Sequence, residues 1–146
     1  MEHAACMLRQ LAVLVISRRR ELKAAWKQRL CAAPPKSPLA NPEILFHRMN
    51  DTLDQLNAFL CSHAVRRKLD GPPLPWIEMR DRCHCGLNPL LDYFETGAAA
   101  INAALPGLDE PGRTLLDQAW RLIAQREIEL LCSVCCRVCT PELQAH

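Results

Sequence analysis

The chain has 146 residues, 49% of them hydrophobic, and a formal net charge of +2. That length suits one domain with a core of its own, and the near-neutral balance excludes the broad basic field on which nucleic-acid binding depends. Nine cysteines, an odd number, argue against a fully paired disulfide framework.

The apolar pattern predicts an all-α protein, one domain over 1–146. The expected architecture is an antiparallel up-down four-helix bundle with a kinked or broken third helix. A first helix runs from about Ala4 to Cys31, with Leu8, Leu11, Val15, Leu22 and Trp26 at helical spacing. The prolines of Ala33-Pro-Pro-Lys-Ser-Pro38 stop it, because proline lacks an N–H and clashes with the preceding turn. A second helix starts at Asn41 as cap and Pro42 at the first helical position, and carries Leu45, Met49, Leu53, Leu56 and Leu60. Gly71-Pro-Pro-Leu-Pro75 then breaks the chain.

A third segment reaches from about Trp76 to Leu105, interrupted at Gly86-Leu-Asn-Pro89, where Asn88 can recap the chain and Pro89 restart it. After Pro106, Asp109 is the expected cap of a last helix that carries Leu116, Trp120, Ile123, Leu130 and Val134 to about Cys139. Short connections favour antiparallel neighbours. Trp26, Trp76 and Trp120 are expected to fill the core, and Gly97 with its following alanines to permit close packing. Arg18, Arg19 and Arg20 read as a solvated face, as do Arg126, Glu127 and Glu129, and His47 has no evident partner. No catalytic constellation is visible, so an enzyme is not expected.

Leu11 to Ile16 is apolar but too short to span a bilayer, and no export signal is visible. The expected setting is therefore the cytoplasm, with no membrane and no nucleic acid as partner. In a reducing compartment grouped cysteines read as metal ligands or redox thiols before disulfides.

Two dense groups carry that reading: Cys83-His84-Cys85 and Cys132-Ser-Val-Cys135-Cys136-Arg-Val-Cys139. On a wheel with Ile123 at the origin, Cys132, Cys135, Cys136 and Cys139 fall at about 180°, 120°, 220° and 160°, roughly opposite the leucines. Positions 84 and 132 lie equally far on either side of residue 108, so an antiparallel hairpin brings the two groups level. Cys83, Cys85, Cys132 and Cys136 are then the leading ligands, with Cys135 or Cys139 as substitutes if the break shifts the register. If the bundle alternates, Cys6 and Cys61 share that end with His3, His63 and His84, and only Cys31 lies at the other. Soft thiolates in such a group suit zinc, copper or an iron–sulfur cluster. The alternatives are reactive redox thiols and plain packing, since buried cysteine behaves as a small hydrophobe; Cys6, Cys31 and Cys61 fit packing better than ligation.

The segment Arg19-Arg-Glu-Leu-Lys-Ala-Ala-Trp26, with Gly86-Leu-Asn-Pro-Leu-Leu91 and Tyr93, resembles the RsbRD-type amino-terminal sensor domain of bacterial stress-response regulators and some histidine kinases. The resemblance implies a helical sensor or protein-interaction module without enzymatic activity. The cysteine clusters are not part of that family's pattern. The expected function is a small cytosolic sensor or regulatory protein whose cysteine-rich end binds a metal or iron–sulfur cluster or senses redox state, acting through a protein partner or a homodimer. Metal handling (Cu(I) or zinc buffering), electron transfer and a purely structural interaction bundle are the competing classes.

Overall fold

The computed structural model describes residues 2–32, 41–62, 73–83 and 88–139, and the side chains of these from residue 6 to residue 134. Among the described residues the secondary structure is helical, without strands: α1 (Glu2–Ser17), α2 (Arg19–Ala32), α3 (Pro42–Phe46), α4 (Met49–Cys61), α5 (Trp76–Asp81), α6 (Leu90–Ala104) and α7 (Glu110–Cys139). None of these helices is long and apolar enough to cross a membrane.

The first expected helix is divided at Arg18, although the i→i−4 ladder continues through it, Arg18 N–H to Leu14 O and Leu22 N–H to Arg18 O. Ser17 Oγ donates to Leu14 O at 2.9 Å, and a hydroxyl competing for a helix carbonyl in this way bends the helix. The second helix is likewise divided. His47 N–H bonds to Ile44 O and Arg48 N–H to Leu45 O, two tightened i→i−3 bonds before the regular ladder resumes at Thr52. Its start is as expected, with Asn41 Oδ1 accepting the Glu43 N–H at 3.0 Å and Pro42 in the first turn.

The residues expected on the first two apolar stripes are all buried: Leu8, Leu11, Val15, Leu22 and Trp26 on one, Leu45, Met49, Leu53, Leu56 and Leu60 on the other. They join Leu90, Leu91, Tyr93, Phe94, Leu116, Trp120, Ile123 and Ile128 in one continuous core. Fully burying a side chain of this size contributes roughly 1.5–3 kcal/mol. At the centre, Trp26, Tyr93, Phe94 and Trp120 form a ring of tilted and edge-on contacts with centroids 4.5–5.3 Å apart. Trp76 is only half-buried.

Packing pairs α2 with α6, α1 with α4, and α6 with α7. The order of the contacts fixes helix directions. A Cβ on Gly112, at the start of α7, would stand 3.6 Å from Leu11 of α1. Further along both, Trp120 meets Trp26 at 5.3 Å. So α7 runs the same way as the α1–α2 line, and α6, its hairpin partner, runs against it. The α4 helix also runs against α1–α2: Asp54 pairs with Arg19, Thr52 reaches Tyr93 of α6 at 2.6 Å, and α4 then continues beside α1 to Cys61.

The order is therefore up, down, down, up, which corrects the alternating arrangement expected from short connections. The chain leaves α4 at Cys61 and is next described at Pro73–Pro75, where the Leu74 N–H donates to Gln125 of α7 at 3.2 Å, beyond Trp120. Cys61 and Leu74 thus lie toward opposite ends of the helices, and α5 and α6 start at the end where α4 did.

The cysteine-rich end as a candidate functional site

α5 is short because its last turn tightens. Cys83 N–H bonds to Arg80 O, i→i−3, and the chain leaves the helix there. Helix resumes at Leu90, whose N–H is accepted by Asn88 Oδ1 at 2.9 Å, the recapping expected of that residue. Gly86 and Leu87, also assigned to this break, lie outside the described residues.

Asn88 does more than cap. It is 2% exposed, and its amide nitrogen donates to Ile128 O at 2.9 Å and to Cys132 Sγ at 3.0 Å. One buried side chain thus ties the start of α6 to the last third of α7. An ion pair crosses the same joint from the other side, Arg82 to Glu129 at 3.2 Å. Both groups are about half-exposed, so the pair positions α5 more than it stabilises it; such pairs are worth about 0–1 kcal/mol. Further along α5, Arg80 bonds Glu95 at 2.6 Å and Asp92 at 3.4 Å. Burial alone would lower the Arg80 pKa, but these two carboxylates outweigh it and hold the guanidinium above its ordinary value.

Cys83 and Cys132 flank this joint. Cys83 is 7% exposed and part of the core, and Cys132 is half-buried against it. Of the other candidate ligands, Cys85 lies outside the described residues. The backbones of Cys135, Cys136 and Cys139 belong to α7, and their side chains lie outside what is described. The same holds for His63, His84 and the side chain of His3. Among the described residues no three His, Cys, Asp or Glu side chains form a metal-binding group.

The end-to-end assignment of the lone cysteines needs correction. Because α7 runs with α1–α2, Cys31 lies toward the end that holds Cys83 and Cys132, whereas Cys6 and Cys61 lie toward the opposite end. The physical reason is the long connection between α4 and α5. Cys6, Cys31 and Cys61 are all exposed, so the expectation that they are buried small hydrophobes is corrected too.

The face of α7 also turns. Leu116, Trp120 and Ile123 are buried as expected, but Leu130 and Val134 are 59% and 53% exposed. The covered line passes instead through Trp120, Ala124 and Ile128 to Cys132, in steps of four. Steps of four advance about 40° each around a helix, so the buried face rotates toward the thiol side. It does so because α6 ends its coverage at Leu90, and α5 with Asn88 covers a different flank. Cys132 therefore sits on the core side of α7 and not opposite it.

A cavity of about 100 Å³ lies between α5 and α7. Its apolar wall is Leu74, Met79 and Ile128, and Cys132, Gln125 and the Arg82–Glu129 pair complete it. Cys132 could be anticipated there from the hairpin register. Met79 could not be assigned to it, nor Asn88 to its bond with Cys132, since nothing in their spacing sets them apart from a core methionine and a helix cap. Comparison of the chain with protein-family models, with curated proteins and with solved structures finds no match.

Proposed function

We propose that the protein is a small sensor or regulatory bundle that acts through thiol ligation of a metal or iron–sulfur cluster, or through thiol oxidation, at the end where α5, α6 and α7 meet. The observation that carries this reading is the Asn88 bridge, which links the sulfur of Cys132 to the start of α6. A change of state at that sulfur is felt by three helices at once, which is what a two-state element needs. The scaffold is read as a four-helix bundle made by α1–α2, α3–α4, α6 and α7, its third member broken between Asp81 and Leu90. A cytoplasmic setting, a protein partner or second copy as the reader of the state, and action without substrate turnover belong to the same reading. So does the resemblance to RsbRD-type sensors.

A second reading has its own support. Cys83 is buried and Cys132 lies on the core-facing line of α7, as packed thiols in a structural interaction bundle would.

Metal analysis and an absorption spectrum of anaerobically purified protein separate these. Visible charge-transfer bands mean an iron–sulfur cluster, stoichiometric zinc without colour a structural site, and several Cu(I) per chain metal handling. Replacing Cys85 and Cys132 together should release the metal and loosen this end of the bundle, and replacing Cys31 should do neither. Protein with no metal, and with thiols that peroxide leaves unchanged, is the outcome that favours packing alone.

A further inference from the structure

We infer that the outward face of α1 and α2 is a docking surface for an acidic amphipathic helix of a partner protein. This rests on the reading of the protein as a module that acts through a partner, and it names that partner's chemistry without using the thiols.

The core takes Leu8, Leu11, Val15, Leu22 and Trp26 from one side of the α1–α2 line. On the other side Val13 and Ile16 stand 66% and 52% exposed, although large aliphatic side chains gain most from leaving water. Arg9 lies one turn before Val13 and Arg20 one turn after Ile16, both exposed, and Lys23 and Lys27 continue the row. Positions 9, 13, 16, 20, 23 and 27 alternate in steps of four and three, the a/d spacing of a helix that packs along a second helix. The i→i−4 bonds of Arg18 and Leu22 carry the row through the bend at Ser17.

The charges on this seam are of one sign. Among the described residues neither Arg9 nor Arg20 has a carboxylate partner, whereas Arg19 between the two rows is engaged by Asp54. Lys27 rests over the Phe46 ring at 5.4 Å and keeps its charge. A complementary helix therefore carries aliphatic side chains against Val13 and Ile16 and carboxylates against Arg9 and Arg20. A second copy does not fit. Paired antiparallel about Val13 and Ile16, it sets Arg9 against Arg20 of the other chain, and like charges on a helix seam repel. A lipid surface fits less well than a helix. Helices that lie in membranes sink a wide apolar face, and that of α1 is already in the core. Nucleic acid finds no aromatic ring in the seam on which to stack a base.

The test uses the full chain and a fluorescein-labelled synthetic helix of about three heptads, with leucine at its two central seam positions and glutamate at the outer ones. Anisotropy in about 0.15 M salt should show saturable binding, with a scrambled peptide of the same composition at least about tenfold weaker. Val13→Ala with Ile16→Ala should weaken binding about tenfold or more and leave the thermal melt unchanged. Arg9→Glu with Arg20→Glu should abolish it, and a peptide carrying lysine opposite those two positions should restore it. Arg18→Glu with Arg29→Glu makes the same charge change about 180–200° around the helix, and should alter affinity less than about twofold. Equal binding of the scrambled peptide, or equal losses from the two pairs of reversals, means diffuse attraction and overturns the docking face. Binding to phosphatidylserine vesicles or single-stranded DNA in place of the peptide overturns it as well. So does a dimer that Val13→Ala with Ile16→Ala dissolves. Metal content and peroxide reactivity of the same protein are read separately: if they hold while the peptide fails, this face falls and the thiol reading stands.

Discussion

Trp26 and Trp120 donate their indole N–H groups to consecutive carbonyls of α6, Tyr93 O and Phe94 O, each at 2.8 Å. Two helices that are far apart in sequence thus grip one turn of a third. Each helix carbonyl has two lone pairs, so it can accept an indole N–H in addition to its own helical bond. The grip requires the rings to lie close to the α6 backbone, and Gly97 permits it. A Cβ at that position would stand 2.5 Å from Trp120 Cζ2 and 2.9 Å from Trp26 Cε2.

Gly97→Ala should therefore destabilise the protein despite the better helix propensity of alanine. The rings are buried and cannot swing aside, so the overpacking cost of about 1–3 kcal/mol exceeds the roughly 1 kcal/mol that alanine gains over glycine within a helix. Urea denaturation of the variant should show a lower midpoint with an unchanged slope. An equal or higher midpoint would mean that the indoles give way.

Tyr93 should make stability fall at alkaline pH. Burial pushes its phenol above the ordinary value, outweighing the Thr52 hydrogen bond and the nearby Arg48, which act the other way. Thr52 Oγ1 donates to Arg48 O, so the phenol donates to Thr52. An unfolded tyrosine ionises near pH 10, and the folded one only above that. The stability from the neutral, buried phenol is fully present below about pH 10 and is lost as pH rises past it. Tyr93→Phe should cost about 1 kcal/mol at neutral pH and flatten the decline above pH 10. Parallel pH profiles for the two proteins would remove Tyr93 as its cause.

Asn88→Ala should cost about 1–3 kcal/mol, since it strands the Leu90 N–H at a buried joint and removes the tie to Ile128 O. It should also change Cys132, whose sulfur loses its donor. We expect iodoacetamide labelling of Cys132, followed by mass spectrometry, to be faster in the variant, because the joint that half-covers the thiol opens. Unchanged stability together with unchanged labelling would show that α5 and α6 hold their places without the bridge.

The turned face of α7 predicts a contrast two residues apart. Leu130→Ser should lie within about 0.5 kcal/mol of wild type, as surface substitutions do, while Ile128→Ala should cost about 2–5 kcal/mol. Thermal melts of the two variants decide it. A larger loss at Leu130 than at Ile128 would restore the stripe that the spacing alone suggests.

The sequence by itself determined the helices and most of what they bury. Apolar spacing at the helical period and the Asn41, Asn88 and Asp109 caps are local signals, and the caps appear where they were read; Asp109 Oδ1, for example, accepts the Gly112 N–H at 2.9 Å. Tertiary structure decided what local spacing does not encode. Whether α6 rises or descends depends on the connection from Cys61 to Trp76, and its length permits either direction. That choice sends Cys6 and Cys61 to the end opposite Cys83 and Cys132. Which flank of α7 is covered after Ile123 depends on where α6 begins and on where α5 docks, so Leu130 and Val134 are left outside while Cys132 turns inward. The meeting of Met79 and of Asn88 with Cys132 has the same origin: residues with unremarkable spacings reach that sulfur only because Asn88 and the Arg82–Glu129 pair hold α5 and α6 against α7.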